Sequence, residues 1–73
     1  MKTIYSEEHK RIIERLKKAR KQAKYDQKQV AKLLGKTQSY VSKAESGQRR
    51  LDIVQLKKFA KIYKKKIEFF INS

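Results

Sequence analysis

A small all-α domain with a helix-turn-helix near its middle is the fold class that these 73 residues predict. Two punctuating glycines, their matching cap residues and apolar stripes at helical spacing carry that reading. Gly35 and Gly47 are the only glycines in the chain, and each follows a short helix-like stretch, residues 27–34 and 38–46. Asp26 and Thr37 precede those stretches, and a side-chain oxygen there can accept from a free backbone N–H of the first turn. A glycine just past a helix end takes the left-handed conformation without a Cβ penalty. The order is cap, helix, Gly, cap, helix, Gly, with Lys36 and Thr37 left as the turn. That is the punctuation of a helix-turn-helix.

The first helix should begin near Ser6, a cap followed by Glu7 and Glu8 at the positive end of the helix dipole. Its buried stripe is Ile12, Leu16, Ala19 and Ala23, while Lys10, Arg11, Lys17, Lys18 and Lys21 lie largely off it as a solvated basic face. The second helix buries Val30, Ala31 and Leu34 and shows Lys28 and Lys32 to solvent; small Ala31 lets the next helix cross closely. In the third, at about 100° per residue, Thr37, Val41 and Ala44 fall inward with Glu45 at the edge. Gln38, Ser39, Ser42, Lys43 and Ser46 fall outward. A plain solvated face would pair Glu with Lys at i,i+4. This one carries no acid, and its Gln, Ser and Lys side chains can hydrogen-bond base edges or phosphates.

A fourth helix follows Asp52 as cap, with Ile53, Leu56, Phe59, Ala60 and Tyr63 inward and Lys57, Lys58 and Lys61 outward. After Lys64, Lys65 and Lys66 comes an apolar strip, residues 67–71, whose alternation suits a strand as well as a helix. One domain spanning residues 1–73 is expected, with residues 1–5 and 72–73 as loose ends.

The run from Gln27 to Asp52, above all residues 38–52, resembles the phage-repressor helix-turn-helix family (Cro/C1-type, XRE). The resemblance extends over roughly residues 10–71. It implies a compact, lambda-repressor-like bundle of five short helices that binds operator DNA as a dimer, the third helix lying in the major groove. Residues 67–71 then correspond to the fifth helix. Lys24, Tyr25, Asp26 and Gln27 stand where the family usually has Gly-Leu-Ser-Gln. A left-handed turn at Lys24 therefore carries about 1 kcal/mol of strain, and Tyr25 replaces leucine as a core plug.

The resemblance also places the site. Gln38 falls where family members most often touch a base, and a Gln can pair with an adenine edge. Ser39, Ser42 and Lys43 share its face, with Lys43 directed to guanine or to a phosphate. Tyr40 either packs on the second helix or places its hydroxyl on a phosphate. Gln27 matches a nearly fixed glutamine whose amide reaches a phosphate near the helix N-terminus. Lys28, Lys36, Arg49 and Arg50 complete the expected phosphate contacts. An acid near phosphates is costly unless paired, and the family pattern sets Arg20 close to Glu45; the two are expected to form a structural ion pair. Of Ile67, Phe69, Phe70 and Ile71, one or two close the core and the remainder form a dimer contact.

Composition agrees. With 21 Lys and Arg against 7 Asp and Glu, the formal charge is +14, which a polyanionic partner explains best. There is no cysteine, so no disulfide or thiolate chemistry is available, and the cytoplasm is the expected location. No apolar run is long enough for a membrane span or a secretory leader. His9 has no second histidine or cysteine at ligand spacing, so neither metal nor cofactor is expected. No serine has a histidine base nearby, and no glycine-rich phosphate loop is present; an enzyme is not expected.

The leading expectation is a dimeric, sequence-specific transcriptional regulator, most naturally a repressor, reading a palindromic operator on double-stranded DNA. One alternative is an antitoxin that binds a toxin and controls their operon, and a toxin or anti-repressor is the protein partner considered. Another is a general RNA-binding or membrane-surface basic protein, against which the ordered core stripes and the lack of stacking aromatics argue.

Overall fold

The computed structural model describes residues 7–72. Five helices follow in order among them: α1 Glu7–Gln22, α2 Gln27–Leu34, α3 Gln38–Ser46, α4 Ile53–Tyr63 and α5 Glu68–Ile71. The architecture is the all-α helix-turn-helix bundle expected, and the strip after Lys66 is helical. Ser6 as a cap, the loose end at residues 1–5 and residue 73 lie outside the described residues. Asn72 is tied rather than loose, since its N–H closes α5 on the Glu68 carbonyl at 2.9 Å.

Helix starts are fixed by their caps. Asp26 and Gln29 form a reciprocal capping box, both bonds at 2.8 Å, and Asp52 with Gln55 forms a second. Thr37 Oγ1 accepts from the Tyr40 N–H at 3.1 Å. Thr37 is therefore an exposed cap, not an inward residue of α3 as its spacing suggested.

Helix ends are closed by left-handed residues. Gly35 (φ 69°) and Gly47 (φ 85°) end the two central helices. Nothing lies within 4 Å of a Cβ built on Gly35, so backbone conformation rather than space calls for glycine there. Lys24 (φ 62°) and Lys64 (φ 57°) adopt the same conformation without being glycine. At Lys24 the pattern is a Schellman closure: its N–H reaches Lys21 and the Tyr25 N–H reaches Arg20. Lys64 and Lys65 repeat it on Lys61 and Ala60.

The core draws on every helix: Leu16 and Ala19, Val30 and Ala31, Val41 and Ala44, the α4 stripe, and Phe70. Ile12, Ala23, Tyr25 and Leu34 pack against it half-buried. Two apolar expectations are corrected. Ile53 has the stripe's spacing but is 52% exposed. Leu51, one position before the Asp52 cap, packs against the core in its place; with Leu56 it occupies the positions of a hydrophobic staple. Phe70, named as a dimer contact, is wholly buried between α1 and the rest of the core. Its ring meets Phe69 edge-on at 5.1 Å, and no partner can reach it while α5 is folded.

One polar cluster crosses three helices. Glu45 of α3 is 4% exposed. Its Oε2 accepts from Arg20 Nε at 2.8 Å, and its Oε1 accepts from Arg20 Nη2 and from Gln27 Nε2, both at 3.1 Å. Arg20 Nη1 also donates to the Tyr25 carbonyl at 3.0 Å, pinning the strained turn after α1. Hydrogen bonding to Glu45 holds the Arg20 pKa above its ordinary value, although burial opposes this. The Arg20 guanidinium stays charged at any working pH.

Removing Glu45 leaves Arg20 half-buried without its counter-charge, so Glu45→Ala should cost about 3 kcal/mol. Arg20→Ala combined with it should recover part of that loss, with a coupling of about 1–3 kcal/mol in urea denaturation; additive losses would mean the two side chains do not interact. Lys24→Gly and Lys64→Gly relieve left-handed strain, and each should stabilise the fold by about 1 kcal/mol. Unchanged midpoints in both variants would show that the turns carry no strain.

Candidate nucleic-acid interface

The α2–α3 unit holds one face of α3 clear of the core. Val41, Ala44 and Glu45 are buried, whereas Gln38, Ser39, Ser42 and Lys43 are exposed together, as the acid-free pattern of α3 predicts. Beside this face lies a shallow depression of about 920 Å³. Lys36, Ser39, Tyr40, Lys43, Arg49 and Arg50 line it, so residues from the turn, the helix and the following loop meet on one surface. Gln48 lines it as well. Sequence reasoning passed over Gln48 because a loop glutamine has no pattern to mark it.

Tyr40 organises the cations. Its ring lies parallel to Phe59 of α4, 6.2 Å centroid to centroid and 8° apart, so α4 supplies its ring-stacking partner. On the ring sit Arg49, with Cζ 4.7 Å from the centroid, and Lys36, with Nζ at 5.4 Å. Such cation–π contacts stabilise by about 0.5–1 kcal/mol at exposed sites. They hold two flexible side chains together on one surface. Burial raises the Tyr40 pKa, with Arg49 opposing, so the hydroxyl remains a proton donor.

The backbone helps position these groups. The Arg49 N–H donates to the Lys43 carbonyl at 3.2 Å, which folds the loop back across the end of α3 after Gly47. Arg50 is exposed at its rim.

Gln27 and Lys28 are placed differently. Gln27 is half-buried, and one N–H of its amide is committed to Glu45; the second N–H remains for another acceptor. Lys28 is exposed on α2 and does not line the depression. In the C-terminal strip, Ile71 is 45% exposed and Ile67 and Phe69 are half-buried. The Phe69 ring is flanked by Arg15 at 5.2 Å and Lys65 at 4.7 Å, and Arg15 Nη1 donates to the Phe69 carbonyl at 2.6 Å.

Among the described residues no group of His, Cys, Asp and Glu could hold a metal ion, and no helix is long and apolar enough to cross a membrane. The arrangement offers hydrogen-bond donors and acceptors on a projecting helix, bordered by fixed cations. Such groups can hydrogen-bond base edges and pair with phosphates.

Comparison with known proteins agrees with the geometry. Residues 16–70 match a family described as Helix-turn-helix. No curated protein and no solved structure matches the chain at a significant level. The family match takes in α2 and α3 whole, together with the buried Glu45 cluster and the residues lining the depression. The chain belongs to the Cro/C1-type (XRE) helix-turn-helix family and is a DNA-binding transcription regulator of that kind.

Proposed function

We propose that this protein is a repressor that binds a palindromic operator as a homodimer, with α3 in the major groove. The observation that carries the reading is the exposed, acid-free face of α3 beside the cation-lined depression. Gln38, Ser39 and Ser42 read base edges, and Lys43 stands where it reaches either a guanine or the backbone. Lys36, Arg49 and Arg50 clamp phosphates, Tyr40 donates from its hydroxyl, and Gln27 and Lys28 hold the strand at the start of α2. Gln27 thus joins the backbone contact to the Glu45 cluster, through the amide N–H it donates inward.

Discrimination should rest on Gln38. A duplex selected from a random library supplies the site, and gel shifts over its single-base variants supply the test. Gln38→Ala should weaken the selected site by about 1–3 kcal/mol and relax preference at one base position. Binding to random duplex should barely change. Equal losses on both would refute a base-reading role.

The homodimer rests on the apolar surface at the C-terminal end. With Phe70 in the core, Ile71 is the exposed member of the strip, and the half-buried Phe69 and Ile67 lie beside it. A two-fold contact there would set two copies of α3 on successive turns of duplex, roughly 34–36 Å apart. Ile71→Glu should leave the fold intact, abolish the dimer and lower affinity for the selected site while sparing random duplex. Analytical ultracentrifugation with and without the duplex decides it, since one chain per duplex at saturation would overturn the dimer.

A further inference from the structure

The cations at the α3 face are a minority of the 21 in the chain. A second concentration lies on α4. Lys57, Lys58 and Lys61 are exposed on one side of that helix, and exposed Lys64 follows at its left-handed end. From Ile53 to Lys66 there is no acid, and among the described residues none of these lysines forms an ion pair. Lys57 and Lys61 are four apart, a spacing at which like charges disfavour a helix. A merely solvated face would intersperse glutamates. This one keeps the repulsion.

Its direction is set by the core. Phe59 stacks on Tyr40 of α3, and Lys57 and Lys61 each lie two residues from Phe59. At about 100° per residue that is about 200° around the helix, so these lysines point away from the α3 contact. None of Lys57, Lys58 and Lys61 lines the depression beside α3.

The ligand class follows from what the face lacks. Leu56, Phe59, Ala60 and Tyr63 of α4 are buried, and its exposed apolar surface is confined to Ile53 and Val54 in the first turn, too short a stripe to seat the helix in a lipid surface. No aromatic lies among the lysines to stack an unpaired base. Beyond that first turn the face offers only charge, and charge alone binds duplex phosphates without regard to sequence. We propose that the α4 lysine face is a second, sequence-independent site for duplex DNA, so that one chain bridges two DNA segments. Only the placement of the first duplex rests on the α3 reading.

The test immobilises a selected duplex, saturates it with the full chain and measures capture of a labelled random duplex from solution. Wild type should capture it, increasingly as salt is lowered. The triple variant Lys57→Gln, Lys58→Gln, Lys61→Gln should cut capture about tenfold or more, with binding to the immobilised duplex changed far less. A control carrying Lys10→Gln, Lys17→Gln and Lys18→Gln loses the same charge from α1 and should retain capture. Capture that survives the α4 variant would assign bridging to a dimer's second α3 face and overturn the proposal. Equal loss in both variants would reduce it to net charge, which also overturns it. So would lysine-dependent binding to phosphatidylserine vesicles without duplex capture. A failure of the α3 reading appears elsewhere, as absent preference at the immobilised duplex.

Discussion

The buried carboxylate of Glu45 is the constraint on which the rest of the structure depends. It accepts from α1 through Arg20 and from α2 through Gln27 while being part of α3, so one side chain sets the rotation of α3 against its two supports. Apolar packing by Val41 and Ala44 fills space but is non-directional. Three charge-assisted hydrogen bonds are not. An acid inside a +14 chain is otherwise well placed to attract stray cations, and burial restricts it to Arg20. The same guanidinium reaches the Tyr25 carbonyl, so the strained Lys24 turn is secured by the group that aligns α3. Tyr63 packs nearby against Tyr25 and Phe59, and burial pushes its hydroxyl well above the usual tyrosine range, so it adds no negative charge beside Glu45.

Acidic residues in this chain are mostly structural, which leaves the cations free to act at the surface. Asp26 and Asp52 cap helices, Glu45 is buried, and Glu7 and Glu8 lie in the first turn of α1. Beside the exposed face of α3 the cations are nevertheless ordered. Tyr40 stacks on Phe59 of the core and carries Arg49 and Lys36 on its ring. The hydrophobic core thereby reaches the surface through one aromatic column and fixes the cations on its end. Fixing them beforehand lowers the entropy lost when a phosphate binds.

Much of this was legible from the sequence, and for identifiable reasons. Caps and glycines act locally, so Asp26, Thr37, Asp52, Gly35 and Gly47 marked the central helices within a residue. Periodicity gave Val30, Ala31, Val41, Leu56 and Phe59 because a buried stripe repeats. What stayed hidden depends on contacts between elements. A left-handed lysine at 64 looks like any surface lysine until the Schellman closure is seen. Phe69 and Phe70 are adjacent and chemically alike, and only the packing of α5 on α1 decides that Phe70 is core and Phe69 is flanked by Arg15 and Lys65. The stack of Tyr40 on Phe59 of α4 is likewise a contact between elements that helical spacing does not show.

The surface charge makes the fold and the ligand interdependent. Lysines at Lys57 and Lys61, left-handed Lys24 and Lys64, and the +14 total each oppose the folded state in isolation. A small core must offset all of them. DNA acts on the opposite side of the balance. Any ligand that binds only the folded chain stabilises it in proportion to the logarithm of its concentration over Kd, and a polyanion also screens the repulsion between lysines. The charge repulsions that weaken the free domain are therefore the ones whose cost falls once phosphates surround it, whereas the left-handed strain at Lys24 and Lys64 is unchanged. Glu45 is the exception that makes this workable. Its attraction to Arg20 is buried, hence little screened by salt, so α3 keeps its orientation both before and after the duplex arrives.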